Sequence, residues 1–99
     1  MALSEPQKKY LRALGHNLKP VIMVGDAGLS DSLLAEFEST LSYHELIKVR
    51  VRIGDRAARD DIIEKLCLQG SAELVQRIGN IALLFRSNPD KQSIRVPNR

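Results

Sequence analysis

The sequence predicts an α/β chain, an α+β sandwich in the order αβαβα followed by a β-hairpin. Three patterns predict it. Apolar residues recur at helical spacing in three stretches. Two apolar runs of strand length, one continuous and one strictly alternating, lie between those stretches. Near the end, Gly79-Asn80 separates two further apolar runs, which is a two-residue hairpin signal. The expected product is a four-stranded mixed sheet with helices packed against it. The first two strands, joined by a helix, should run parallel with a right-handed crossover.

Each element has a local reason. Ser4 precedes Gln7 by three residues, a capping box, and Pro6 sits in the first turn of the first helix. Tyr10, Leu11, Leu14 and Leu18 give its apolar stripe, and Gly15 is the expected C-cap. Val21-Ile22-Met23-Val24 is a continuous apolar run, which suits a strand covered on both faces, or an interior one. Gly25-Asp26-Ala27-Gly28 breaks it. Ser30 then caps a second, acidic helix whose buried stripe is Leu34, Phe37 and Leu41. Residues 46–53 alternate: Ile47, Val49, Val51 and Ile53 face a core, and Leu46, Lys48, Arg50 and Arg52 face the other way. Asp55 caps a third helix that closes at Gly70. Residues 74–78 and 81–85 form the hairpin, and Ser87-Asn88-Pro89 stops it.

The chain has 99 residues, enough for one modest core. Residues 1–86 are expected to form a single domain, and 87–99 a basic, loosely held tail. No run approaches the roughly 20 apolar residues of a membrane span, and the N-terminus does not read as a secretory leader. One cysteine, Cys67, excludes an internal disulfide and a cysteine-based zinc site. A cytoplasmic protein is expected. Formal charge is +3, but it is blocked along the chain. Residues 1–19 carry +3, 20–45 carry −5, 46–59 carry +4, 60–73 carry −3 and 74–99 carry +4. Folding can therefore gather the basic blocks into a patch.

Enzymatic readings find little support. Only two histidines are present, His16 and His44. His44 and Glu45, adjacent in a strand, would face opposite ways. Asp60 and Asp61 diverge by about 100° on a helix, and Cys67 falls among Ile63 and Leu66 as a structural thiol. No nucleophile elbow, Walker lysine or HExxH pattern occurs. No enzyme activity, cofactor, metal or small-molecule substrate is expected.

The Gly25-x-x-Gly28 loop lies between a strand and a helix start. Its glycines allow a sharp turn and close approach of a ligand, and the helix start offers free N–H groups for a phosphate. A tight strand–helix turn also uses glycine for its own sake. Ligands gather beyond the carboxyl ends of parallel strands. There the loop would meet Arg52, Arg56 and Arg59, unless those arginines pair with Asp55, Asp60 or Glu38. Aromatics are few, and Phe37 and Phe85 read as core, so contact with a nucleic-acid backbone fits better than base stacking.

The chain resembles the CRM domain family in its bacterial single-domain, YhbY-like form. The resemblance runs over roughly residues 4–86. It rests on Leu11 to Val21, on Val24 to Ser30 with the GxxG loop, on His44 to Val49, on Asp55-Arg56, and on Ile78-Gly79 through Leu84-Phe85-Arg86. It implies a fold like the C-terminal domain of translation initiation factor three. It also implies an RNA-binding protein that associates with precursors of the large ribosomal subunit during assembly; a monomer is expected. The family's RNA-contacting loop maps onto Gly25, Asp26, Ala27 and Gly28, and its basic surface onto Arg12, Lys19, Lys48 and Arg50. Asp26 departs from the lysine or neutral residue often found after the first glycine. With Arg52 and Arg56 from the argument above, these are the expected RNA contacts. The alternative is a protein-interaction module that docks on a ribosomal protein or assembly factor through the acidic second helix.

Overall fold

The protein is described by a computed structural model covering residues 3–91 and 93–97. Helix α1 spans Glu5–Gly15 and closes its N-terminus with the expected reciprocal box. Gln7 N donates to Ser4 Oγ at 3.3 Å, and Ser4 N donates to Gln7 Oε1 at 2.8 Å. Strand β1 (Pro20–Val24) leads to α2 (Asp31–His44), capped by Ser30 Oγ, which accepts from Leu33 N at 3.2 Å. Strand β2 (Leu46–Val51) leads to α3 (Arg56–Gly70), capped by Asp55, which accepts from Ala58 N at 2.9 Å. Strands β3 (Glu73–Ile78) and β4 (Ile81–Phe85) form the hairpin around Gly79-Asn80, with Gly79 at φ +60°. Each cap satisfies helix-end N–H groups that have no partner within the helix.

The sheet order is β1-β2-β4-β3. β1 and β2 are parallel, and the other two pairings are antiparallel. The fold is thus α+β with a four-stranded mixed sheet, as the sequence predicts. One sheet face packs on α2 and α3 through Ile22, Val24, Ile47, Val49, Val51, Ala82 and Leu84, against Phe37, Leu41, Ile63 and Leu66. The other face carries a smaller cluster in which Leu11 of α1 meets Leu46, Val75, Leu83 and Phe85.

Four local expectations are corrected. β1 is an edge strand, not an interior one: Ile22 and Val24 are buried, but Val21 and Met23 are exposed. A continuous apolar run cannot reveal that only one of its faces is covered. Of the α1 stripe only Leu11 is buried, while Tyr10, Leu14 and Leu18 are exposed, because α1 touches the sheet along a narrow line. Gly15 is not a left-handed cap. It lies inside the helix end where a Cβ would sit 2.7 Å from a Leu83 methyl, so it permits close helix–sheet approach. Finally, β2 ends at Val51, and its second face is not simply charged, since Leu46 lies in the smaller core.

The expectation of a strand running through His44 and Glu45 is also corrected. His44 ends α2, and Glu45 makes the turn into β2 at φ +65°, unusual for a residue with a side chain. Its side chain is fully buried. Oε2 accepts from Asn88 N at 2.7 Å and Oε1 from Ile94 N at 3.1 Å. The segment after Arg86, expected as a loose tail, thus contacts the body. Ile94 and Val96 pack on the Leu11 cluster, Gln7 Nε2 donates to Pro97 O, and Lys91 lies over the Tyr43 ring. Within that tail Gln92, Asn98 and Arg99 lie outside the described residues, as do Met1 and Ala2 of the N-terminus.

Replacing Glu45 by alanine strands two backbone donors. Glu45→Ala should lower unfolding free energy by about 2–4 kcal/mol, read from urea midpoints, and speed proteolysis at Lys91 and Arg95. Glu45→Gln, which keeps one acceptor, should lose less. Equal midpoints for Glu45→Ala and wild type would refute this anchoring.

Candidate nucleic-acid interface

The loop after β1 is a four-residue turn closed by Gly28 N donating to Gly25 O at 3.0 Å. Gly28 sits at φ +74°, where glycine is favoured. Gly25 has no such constraint: its φ lies outside the left-handed region, and a Cβ built there meets nothing within 4 Å. The protein's own packing therefore does not require glycine at 25. Gly25, Asp26 and Ala27 are exposed, directly before the start of α2.

Parallel pairing brings the second basic block to this loop. Val24 lies beside Val51, and Arg52 N donates to Val24 O at 2.7 Å. Arg52 is thus locked beside the residue preceding Gly25. Arg56 opens α3 and is exposed. Arg59, one turn on, donates to Ile53 O at 3.2 Å, and its Nε is shielded with no acceptor. Arg50 lies one row back, beside Met23, and its Nε is likewise shielded and unbonded. A shielded donor left without any partner costs about 1–3 kcal/mol, so both Nε atoms call for an acceptor such as water or an anion.

The acidic groups that were candidates to neutralise these arginines are engaged elsewhere. Glu38 pairs with Arg86 at 2.7 Å, Asp60 with Arg77 at 3.1 Å, and Asp55 caps α3. Among the described residues, Arg12, Lys19, Lys48, Arg50, Arg52, Arg56 and Arg59 form no salt bridge. Asp26 remains within the loop, Asp31 opens α2 and Asp55 caps α3, so the corner holds four cations against three carboxylates.

The expected site residues fall into two groups. Gly25 to Gly28, Arg50, Arg52 and Arg56 gather at the carboxyl ends of β1 and β2. Lys48 lies beside Pro20 at the other end of the pair, next to Lys19, and its Nζ reaches His16 O at 3.4 Å. Four residue steps of extended chain separate Lys48 from Arg52, about 13 Å. Arg12 lies in the last turn of α1. Two features escape a reading of the sequence: the unbonded Arg50 Nε, and the apolar exposure of Met23 and Ile78 on the same sheet face. Neither leaves a local sequence signal, since both depend on where α1 stops covering the sheet.

Burial pushes the Cys67 thiol up from its ordinary value, with Glu64 and Glu73 adding to the effect, opposite to what a reactive thiolate needs. No group of three or more metal-ligating side chains occurs among the described residues. A groove of about 450 Å³ between α2 and α3 carries Lys65 and Gln69 among leucines and Ile62, with no acid–base pair.

The topology, the exposed turn before a helix start and the cations around it define a small α+β domain with a basic corner. The chain matches the CRS1/YhbY (CRM) domain family over residues 3–86, and it belongs to that family. It is 46% identical over 89 residues to a protein of Pseudomonas aeruginosa named as a probable RNA-binding protein, covering 90% of this chain and 86% of the relative. It is 41% identical over 97 residues to a Haemophilus influenzae protein named as an RNA-binding protein, covering 98% and 97%. The solution structure of a hypothetical protein from Staphylococcus aureus matches with a TM-score of 0.82 at 32% identity, over 97% of this chain and 100% of that one.

The Arg86–Glu38 pair, away from this corner toward the C-terminal ends of α2 and α3, gives the protein a pH signature. Hydrogen bonding from Arg86 holds the Glu38 carboxyl below the ordinary glutamate value, against a smaller opposing effect of burial. Glu38 is more than half exposed, so the contribution is small. Because the folded value is depressed, the stabilisation is present above the ordinary value and lost as pH falls through the lowered one. Melting curves from neutral to acid pH should show wild type above Glu38→Gln, with the gap closing at the acid end. A gap that widened with acid would refute it.

Proposed function

We propose that this chain is an RNA-binding protein that grips the sugar–phosphate backbone at the carboxyl ends of β1 and β2. One observation carries the reading: the arginines gathered at the Gly25–Gly28 turn have no carboxylate partners among the described residues. Asp55, Asp60 and Glu38, the acids that the sequence offered as partners, instead cap a helix or pair with other arginines. The names of the relatives from Pseudomonas aeruginosa and Haemophilus influenzae support RNA as the anion. In this reading Gly25 lets a phosphate reach the backbone, and the start of α2 adds N–H groups. Arg50, Arg52 and Arg56 neutralise one stretch of backbone, while Lys48, Lys19 and Arg12 extend the track. Asp26 repels phosphate and tempers the loop's grip. Family resemblance extends the proposal to precursors of the large ribosomal subunit in the cytoplasm, with the chain acting as a monomer, by binding and without catalysis. Among the described residues no helix is long and apolar enough to cross a membrane. Docking on a ribosomal protein through acidic α2 is less favoured, because Glu38 is occupied by Arg86.

About five of these six cations acting together predict a slope of log K against log[salt] near −3.5 on single strands, at about 0.7 per contact. Arg52→Gln with Arg56→Gln should weaken binding to all sequences alike and flatten the slope by about 1.4. Affinity independent of salt would overturn the electrostatic reading. Sedimentation of a lysate tests the ribosomal part: the chain should travel with large-subunit precursors and leave them as salt rises. Recovery only at the top of the gradient, even at low salt, would overturn it.

Gly25→Ala should fold with unchanged stability, since nothing within 4 Å opposes a methyl group, yet bind RNA several-fold more weakly. Unchanged RNA affinity would remove Gly25 from the contact.

A further inference from the structure

A row of side chains crosses the whole sheet beside the basic corner. Strand pairing sets Met23 beside Arg50, Arg50 opposite Ile81, and Ile81 opposite Ile78. Directly paired residues share a face, so this row runs from one sheet edge to the other. Helix α1 does not cover it. Leu11 and Gly15 of α1 meet the sheet through the cluster of Leu46, Val75, Leu83 and Phe85, at the opposite end of β2 and β4. Met23 is left 52% exposed and Ile78 68% exposed. Behind the row, Lys48, Gln76 and Leu83 join Ile78 and Ile81 around a shallow hollow of about 180 Å³.

We infer that this open half of the sheet seats an unpaired segment of RNA, with the phosphates on Arg50, Lys48 and Arg52 and base or ribose faces over Met23 and Ile78. The inference rests on the RNA-binding reading and names the form of RNA. Charge on the uncovered half of this face is of one sign: its titratable groups are Lys48 and Arg50, with Arg52 just past the strand end, while Glu73, on the same face at the end under α1, accepts from Leu3 N. An acidic surface could match those cations but leaves the apolar ends of the row uncovered. A duplex also meets only half of the chemistry. It offers phosphates and ribose hydroxyls outward and keeps its base faces stacked inside. An unpaired strand presents a regular line of anions with flat apolar faces between them. That matches cations set between exposed aliphatic side chains. No aromatic ring stands in the row, so the contact is van der Waals burial of Met23 and Ile78 without ring stacking.

The test uses the full chain and fluorescence anisotropy at low salt, with a randomised single-stranded RNA and a random-sequence duplex of equal length. Wild type should favour the single strand. Met23→Ser combined with Ile78→Ser should lose about tenfold on the single strand and nothing on the duplex. Leu68→Ser, at an exposed position on α3, should change neither. Equal affinity for duplex and single strand, or an unaffected double variant, overturns the inference while leaving RNA binding intact. If neither RNA binds at low salt, the RNA reading itself fails and this inference with it, and a protein partner takes its place. Should the double variant not fold, as judged by circular dichroism, the comparison of single strand with duplex on wild type decides alone.

Discussion

Everything at the basic corner follows from the parallel pairing of β1 with β2. Both strands end at the same edge of the sheet, so the turn after β1 and the cations at the end of β2 must meet. The Arg52 N–H to Val24 carbonyl bond fixes this junction one residue before Gly25. Helices α2 and α3, which follow these strands, therefore begin at the same end and share one packed face through Phe37, Leu41, Ile63 and Leu66. An antiparallel pairing of the same two strands would have sent Arg52 to the far end of the sheet.

Charge at this corner is set by what the acids do elsewhere. Asp55 closes α3, Asp60 holds Arg77, and Glu38 holds Arg86, so none of these three carboxylates quenches an arginine at the turn. Arg86 also donates to Gly70 O and Ser42 Oγ, which joins the end of the hairpin to α2 and to the end of α3. Glu45 likewise ties distant segments together, its buried carboxyl group satisfying two backbone donors of the C-terminal segment. These four acidic residues are thus structural, and the arginines at the turn keep no salt-bridge partner among the described residues. The proposed RNA contact follows from that separation of roles.

Much of the fold is legible in the sequence because its signals are local. A cap needs one side chain within three residues of the helix start, and Ser4, Ser30 and Asp55 all supply it. The hairpin needs a residue free to take positive φ, and Gly79 provides it. The candidate site is legible to the extent that Gly25 to Gly28, Arg52 and Arg56 cluster near strand ends in sequence. The features that a sequence reading misses depend on coverage by distant elements. Val21 and Met23 look as buried as Ile22 and Val24, yet both are exposed on the edge strand. Glu45 reads as a strand residue beside His44, but it makes the turn before β2 and its partners lie more than forty residues away.

Local patterns in the chain set the order of elements, the caps that bound the helices and the alternation that puts cations on one face of β2. These follow from backbone geometry and hydrophobic period, which act over a few residues. Long-range packing alone placed β1 at the edge, left α1 covering just one end of the second face, and turned the acids away from the arginines. Those outcomes depend on contacts between segments far apart in the chain, where burial and pairing are settled by which surfaces meet.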